Sequence, residues 1–148
     1  MVELIAWSSG RLIPIQKVSD PVFSQKMVGD GLAIIPESSA IVAPCAGIVH
    51  LMPGLFHALS IETQDNTILI HAGINSVELG SEAAKLHVVE GQCIHPGDKI
   101  IDLDLELMAK KGFETDVIMV ADKGKVQVVT SWQSPYVLAG KTQVGRVL

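Results

Sequence analysis

Aromatic side chains are scarce in this chain of 148 residues, at 4%. Aliphatic groups must therefore fill the interior, and the hydrophobic share of 48% is enough to supply them. Charge is sparse too, at 18% of residues, and that balance excludes a disordered chain. The 11 Lys and Arg face 16 Asp and Glu for a net charge of -5, with no basic run and no basic helix interleaved with aromatics. Nucleic acid is thus an unsuitable partner, whereas a basic protein surface suits a mildly acidic one. The only two cysteines, Cys45 and Cys93, lie far apart and outside any CxxC, as expected of reduced thiols in a cytoplasmic protein. No apolar run approaches the roughly 20 residues needed to span a bilayer. The opening Met1–Trp7 lacks the basic start of a signal peptide.

What is present is a succession of short runs of Val, Ile and Leu, cut by 13 Gly and 7 Pro. Strands are predicted at Leu32–Ile35, Ala40–Ala43, Gly47–Met52, Ala58–Glu62, Thr67–His71, Ala84–Val88, Lys99–Asp104, Asp116–Val120, Lys125–Thr130 and Thr142–Leu148. Their spacing predicts an all-β fold, an antiparallel β-sandwich or barrel, formed by residues 1–148 as one domain. Two short helices are expected. One ends at Lys110, Lys111 and Gly112; the other follows Asp20, an N-cap residue placed before Pro21. A weak internal echo links Val42–Val49 with Gly91–Ile100, both setting Cys and Pro among glycines.

The informative constellation is His57 and His71. His71 closes the run Thr67–His71 and His57 opens His57–Glu62. If these runs form a hairpin through the polar turn Thr63–Asn66, its far ends, the two histidines, become neighbours. Paired imidazoles suit either phosphoryl transfer or zinc binding. In the first, one ring nitrogen attacks phosphorus while the other ring donates to the phosphoryl oxygens. His50, His87 and His95 are read as solvated or satisfied side chains.

The surroundings of the pair resemble a known family. Phe56–Glu62 looks like the segment bearing the auxiliary histidine of glucose-type IIA domains of the bacterial phosphoenolpyruvate-dependent sugar phosphotransferase system. Ile68–Leu79 looks like the segment bearing their phosphorylated histidine. Asp20–Phe23, Val28–Ile34, Val42–Gly47 and Glu90–Asp98 match further stretches in the same register, so the likeness spans nearly the whole chain.

The resemblance implies a compact antiparallel β-sandwich of barrel-like shape, of the duplicated hybrid motif type, with one or two short helices. It implies that His71 accepts a phosphoryl group from the small carrier HPr as a tele-phosphohistidine. His71 then passes the group to a cysteine of a sugar-specific IIB domain, while His57 stabilises it. Asp20 and Asp122 match acidic positions flanking the family's site, and Val22, Phe23 and Met27 are expected to form an apolar docking patch. No cofactor is required beyond the covalent phosphate on His71, and a metal would bridge His57 and His71 only with a partner's carboxylate. The chain departs from the family at Leu55, where a threonine is usual, at Asn75, where an aspartate is common, and at Ala72, in place of a bulkier aromatic.

Three other readings compete. A zinc peptidase of the lysostaphin type needs a His-x-His pair and a His-x-x-x-Asp arrangement; here Ile61 and Asn75 stand four positions after the two histidines. A biotinyl or lipoyl carrier needs a lysine on a tight exposed turn, whereas Lys110 and Lys111 close a predicted helix. A regulatory protein-binding module with a IIA-like fold, whose partners would be transporters or metabolic enzymes, is the alternative function.

Overall fold

The computed structural model describes residues 1–74 and 80–148. Asn75 and the rest of the motif through Leu79 lie outside the described residues. In chain order the strands are β1 (Val2–Ile5), β2 (Gly10–Pro14), β3 (Asp30–Pro36), β4 (Ala40–Val42), β5 (Gly47–Leu51), β6 (Ala58–Glu62), β7 (Thr67–Ile74), β8 (Ala84–Leu86), β9 (Cys93–Ile94), β10 (Lys99–Leu103), β11 (Glu114–Ala121), β12 (Val126–Val128), β13 (Tyr136–Val137) and β14 (Gln143–Val147). A 3-10 turn at Ile15–Lys17 and two short helices, α1 (Pro21–Ser24) and α2 (Leu105–Lys110), complete the described elements.

Eight strands form one sheet in the order β13-β2-β3-β11-β7-β6-β5-β9, and two three-stranded sheets, β1-β14-β12 and β4-β10-β8, accompany it. The strand pairs are antiparallel. The expected all-β architecture with little helix is therefore observed, and the large sheet is open, its order running from β13 to β9 without closing. Each predicted strand has a counterpart. Four further strands, β1, β2, β9 and β13, lie where no strand is predicted. In β2, Gly10 reads as a turn residue. Its backbone instead passes so near β3 that a Cβ there would stand 2.0 Å from the carbonyl oxygen of Ile35.

The centre of the large sheet explains where the site sits. Val117, Ile118, Met119, Val120 and Ala121 of β11 are all buried, as expected of a strand covered on both faces. Val117, Met119 and Ala121 face the main core with Trp7, Leu32, Ile70 and Ala72. Ile118 and Val120 face a second, smaller cluster with Ile13, Ile15, Val18, Phe23, Ala33 and Ile74. The 3-10 turn and α1 thus form a lid over the second face, and His71 lies in register with Ile118 beneath it. Trp7, fully buried, donates from Nε1 to the carbonyl of Val117 at 3.0 Å, tying the N-terminal segment to β11.

Both helices end in the same way. After α2, Gly112 N–H donates to Ala109 and Phe113 N–H to Met108, and Gly112 takes φ +80°. After α1, Lys26 N–H donates to Phe23 and Met27 N–H to Val22, and Lys26 takes φ +58°. This is the Schellman arrangement, which needs a left-handed residue; glycine fills it freely and lysine under strain. The echoing segments meet each other. Ala43 N–H donates to Asp98 at 2.8 Å, Gly97 N–H donates to Ala43 at 2.9 Å, and Gly47 pairs with Ile94. Cys45 and Cys93 are free, and burial pushes the Cys45 thiol up to about 11.

Candidate functional site

The hairpin of β6 and β7 forms with Glu62 opposite Thr67 and Ala58 opposite His71. Its turn is held by Thr63 N–H donating to the Asn66 carbonyl and Asn66 N–H to the Thr63 hydroxyl, at 2.8 and 3.0 Å. One further bond, Ala72 N–H to the His57 carbonyl at 2.8 Å, extends the pairing to the open end. Strict alternation would turn the His57 side chain away from His71, because its neighbour Ala58 is the residue paired with His71. The backbone bends at Phe56–His57 instead, before β6 begins. The two imidazoles stand 5.0 Å apart between centroids at an interplanar angle of 84°.

His57 is fully buried. Among the described residues neither of its ring nitrogens has a hydrogen-bond partner. A buried polar group without a partner costs roughly 1–3 kcal/mol and is uncommon outside functional sites. Burial, and secondarily the neighbouring His71, lower its pKa to about 4. The ring is neutral at pH 7, with one N–H unspent.

His71 is partly exposed. Phe23, itself buried, packs its ring 5.1 Å from that of His71 at 52°. Burial lowers the His71 pKa below 6.5, opposed by the backbone of Gly73, by the Asp20 carboxylate and by its own backbone. A backbone group that favours the protonated ring is a carbonyl, which only accepts. Among the described residues the Nδ1 of His71 is buried and has no hydrogen-bond partner.

Asp20 is the N-cap of α1, its carboxylate accepting from Val22 N–H at 3.0 Å. The same side chain acts on His71, so one aspartate both starts the lid helix and biases the site. Val22 and Met27 are 43% and 70% exposed and form an apolar rim on the lid, joined by Val28. Phe23 faces the other way, into the small cluster and onto His71. Asp122 lies at the far end of β7, its carboxylate accepting from Thr67 N–H at 2.8 Å. Thr67 is four residues from His71, about 13 Å along the strand. The structure thus gathers His57, His71, Asp20 and Phe23, sets Val22 and Met27 around them, and leaves Asp122 apart. Sequence reasoning missed Gly73; its signal was its place two residues after His71, where a carbonyl reaches back to the ring.

Among the described residues no group of three or more His, Cys, Asp or Glu side chains is placed to hold a metal ion. His57 and His71 would supply two ligands and no more. Leu55, where a hydroxyl would orient His57, sits in a turn with its N–H on the Met52 carbonyl at 3.0 Å.

A family model described as phosphoenolpyruvate-dependent sugar phosphotransferase system, EIIA 1, matches residues 2–126. A glucose-specific EIIA component of Oceanobacillus iheyensis is 32% identical over 149 residues, covering 99% of this chain and 90% of that one. A glucose-specific EIICBA component of Streptococcus pneumoniae is 34% identical over 146 residues, which are 98% of this chain and 20% of the longer one. The solved glucose permease IIA of Mycoplasma capricolum superposes with a TM-score of 0.86 at 29% identity, covering 97% of this chain and 93% of that one.

Proposed function

Because this chain belongs to the EIIA 1 family of the phosphoenolpyruvate-dependent sugar phosphotransferase system, we propose that it is a cytoplasmic phosphocarrier whose His71 takes a phosphoryl group from phospho-HPr and delivers it to a cysteine of a IIB domain. The observation that carries this reading is the buried, neutral and unpartnered His57 ring standing edge-on to His71.

The Nε2 lone pair of neutral His71 attacks phosphorus in line. The new N–P bond forms as the N–P bond of the donor histidine breaks, and the bonding pair returns to that histidine. No net charge has to be created in bulk water, because the group passes between two imidazoles in an apolar surround. His57 turns its unspent N–H to the phosphoryl oxygens, an arrangement whose value rises as charge collects on them. In the second transfer a thiolate attacks phosphorus, the S–P bond forms and the His71 N–P bond breaks, leaving His71 neutral again.

Asp20 and the rim of Val22 and Met27 serve docking. The carboxylate suits a cationic side chain of the partner, and the exposed apolar pair excludes water around the phosphoryl group. Partner choice follows from this surface and not from a sugar pocket.

The test is delivery. Enzyme I, HPr, phosphoenolpyruvate and a glucose-type IIB domain are mixed with and without this chain. Phosphate on the IIB cysteine only when the chain is present, and none with His71→Gln, is the expected result. An unlabelled IIB beside a phosphorylated chain would contradict the carrier role and favour a regulatory module.

A further inference from the structure

Two large aromatics of this aromatic-poor chain stand exposed near each other, Tyr136 at 65%, paired across the strands with Arg11, and Trp132 at 46%, on an ordered turn. Gln133 N–H donates to the Ser131 hydroxyl at 3.2 Å and Ser134 N–H to the Ser131 carbonyl at 3.1 Å. Leu12 N–H donates to the Pro135 carbonyl at 2.8 Å, fastening the turn to β2. Two concavities flank the indole, of about 280 and 190 Å³. The larger contains Lys26 and Asp30, which neutralise each other at 3.2 Å. The smaller is lined by Arg11, Pro14, Lys17, Trp132 and Pro135, with Leu12 and Ile13 as its floor, and no carboxylate enters it. Among the described residues neither Arg11 nor Lys17 has an ion-pair partner. What sets these two apart is their shared concavity, in which both stand beside a half-exposed indole without a carboxylate.

The chemistry of that lining is specific. Guanidinium and ammonium groups converge on a compact anion, the guanidinium offering paired donors to phosphate oxygens. An indole face and a proline ring offer a flat apolar wall, against which the C–H face of a sugar ring packs. The concavity is separate from the histidine pair, since β2 is three strands from β7, about 14 Å across the sheet. It nonetheless opens on the same sheet face, for Arg11 is two residues from Ile13, which shares the small cluster with Ile118 beneath the lid. The family match ends at residue 126, before the turn that bears Trp132.

We propose that the concavity between Arg11, Lys17 and Trp132 binds a sugar phosphate, with the phosphate on the two cations and the sugar ring against the indole. The choice of a sugar phosphate among organic anions rests on the carrier reading, whose phosphoryl chain ends on a sugar. The bound product would sit beside the docking rim and lower the traffic through His71 as it accumulates.

Intrinsic fluorescence tests this directly, because Trp7 is fully buried and Trp132 is the tryptophan a ligand can reach. The full unphosphorylated chain is titrated with glucose 6-phosphate, with glucose, with inorganic phosphate and with phosphatidylglycerol vesicles. A saturable change at millimolar glucose 6-phosphate is expected, with glucose and inorganic phosphate each binding at least about tenfold more weakly. Arg11→Gln combined with Lys17→Gln should lose at least about tenfold in affinity with an unchanged melting temperature. His71→Gln should bind like the wild type. No saturation, equal affinity for inorganic phosphate, a response to vesicles alone, or an unaffected double variant would each overturn the proposal. Glucose 6-phosphate binding by a chain that does not deliver phosphate to IIB would sink the carrier reading alone; delivery without binding would sink this site alone.

Discussion

The His57 and His71 rings meet edge to face, 5.0 Å apart, with the inner ring wholly buried and the outer one partly open. Burial of both lowers both pKa values, and more strongly for His57. An NMR titration should therefore find His57 deprotonating near pH 4 and His71 below 6.5. His50, bridged by Glu62 and Glu90 at 2.8 Å on each ring nitrogen, should deprotonate above 6.5. A His57 that titrates like a free imidazole would mean that the ring is solvated.

The same shift predicts acid sensitivity. Between pH 6.5 and about 4 the unfolded His57 takes a proton that the folded one refuses, so stability falls as pH falls. The contribution is whole above pH 6.5, and about 3 kcal/mol of it is lost by pH 4. His50 acts in the opposite direction, its folded pKa being raised: it stabilises below pH 6.5 and ceases to do so as pH rises through its folded value. Urea unfolding of wild type and His57→Gln across this range isolates the first effect, since the variant's curve should be flatter.

Lys26 holds a left-handed conformation where the α1 terminus calls for glycine. Lys26→Gly should stabilise the protein by about 0.5–1 kcal/mol in urea unfolding, less whatever the partly exposed Lys26–Asp30 pair contributes. A destabilised variant would show that the ion pair outweighs the strain.

Trp7→Phe removes the indole donor to Val117 and leaves a void in the main core. A loss of about 2–4 kcal/mol is expected from the orphaned carbonyl and the lost volume together. Thermal and urea unfolding both report it.

On the rim, Met27→Glu and Val22→Glu should raise the KM for phospho-HPr at least about tenfold, with little change in stability, because both side chains are exposed. Asp122→Asn should change it far less, since Asp122 serves the Thr67 backbone away from the pair. Steady-state phosphorylation with varied HPr distinguishes them. An Asp122 effect equal to that of Met27 would extend the docking surface along β7.

Much of this was legible in the residues. The hairpin follows from two aliphatic runs around a polar turn and brings both histidines to its open end, whereas the meeting of their rings depends on the bend at Phe56–His57, which no run of residues announces. The N-cap of α1 is visible in Asp20 before Pro21. What was not legible depends on tertiary cover. Phe23 and Val22 are adjacent apolar residues, and only the placement of α1 over the second face sends one inward and the other outward. The separation of Asp122 from the pair depends on the register of β11 with β7. The missed strands β9 and β13 have two residues each, too few for any periodicity, and β2 is obscured by a glycine that serves close approach.

The most direct test of the account is the position of the phosphate itself. The chain is incubated with phosphoenolpyruvate, enzyme I and HPr, and the acid-labile group is located by mass spectrometry and by long-range nitrogen–proton NMR correlations. Phosphate on Nε2 of His71, none on His71→Gln, and a phosphorylated His57→Gln that hands the group on slowly are the expected results. Phosphate on His57, on Nδ1 of His71, or on neither histidine would contradict the account.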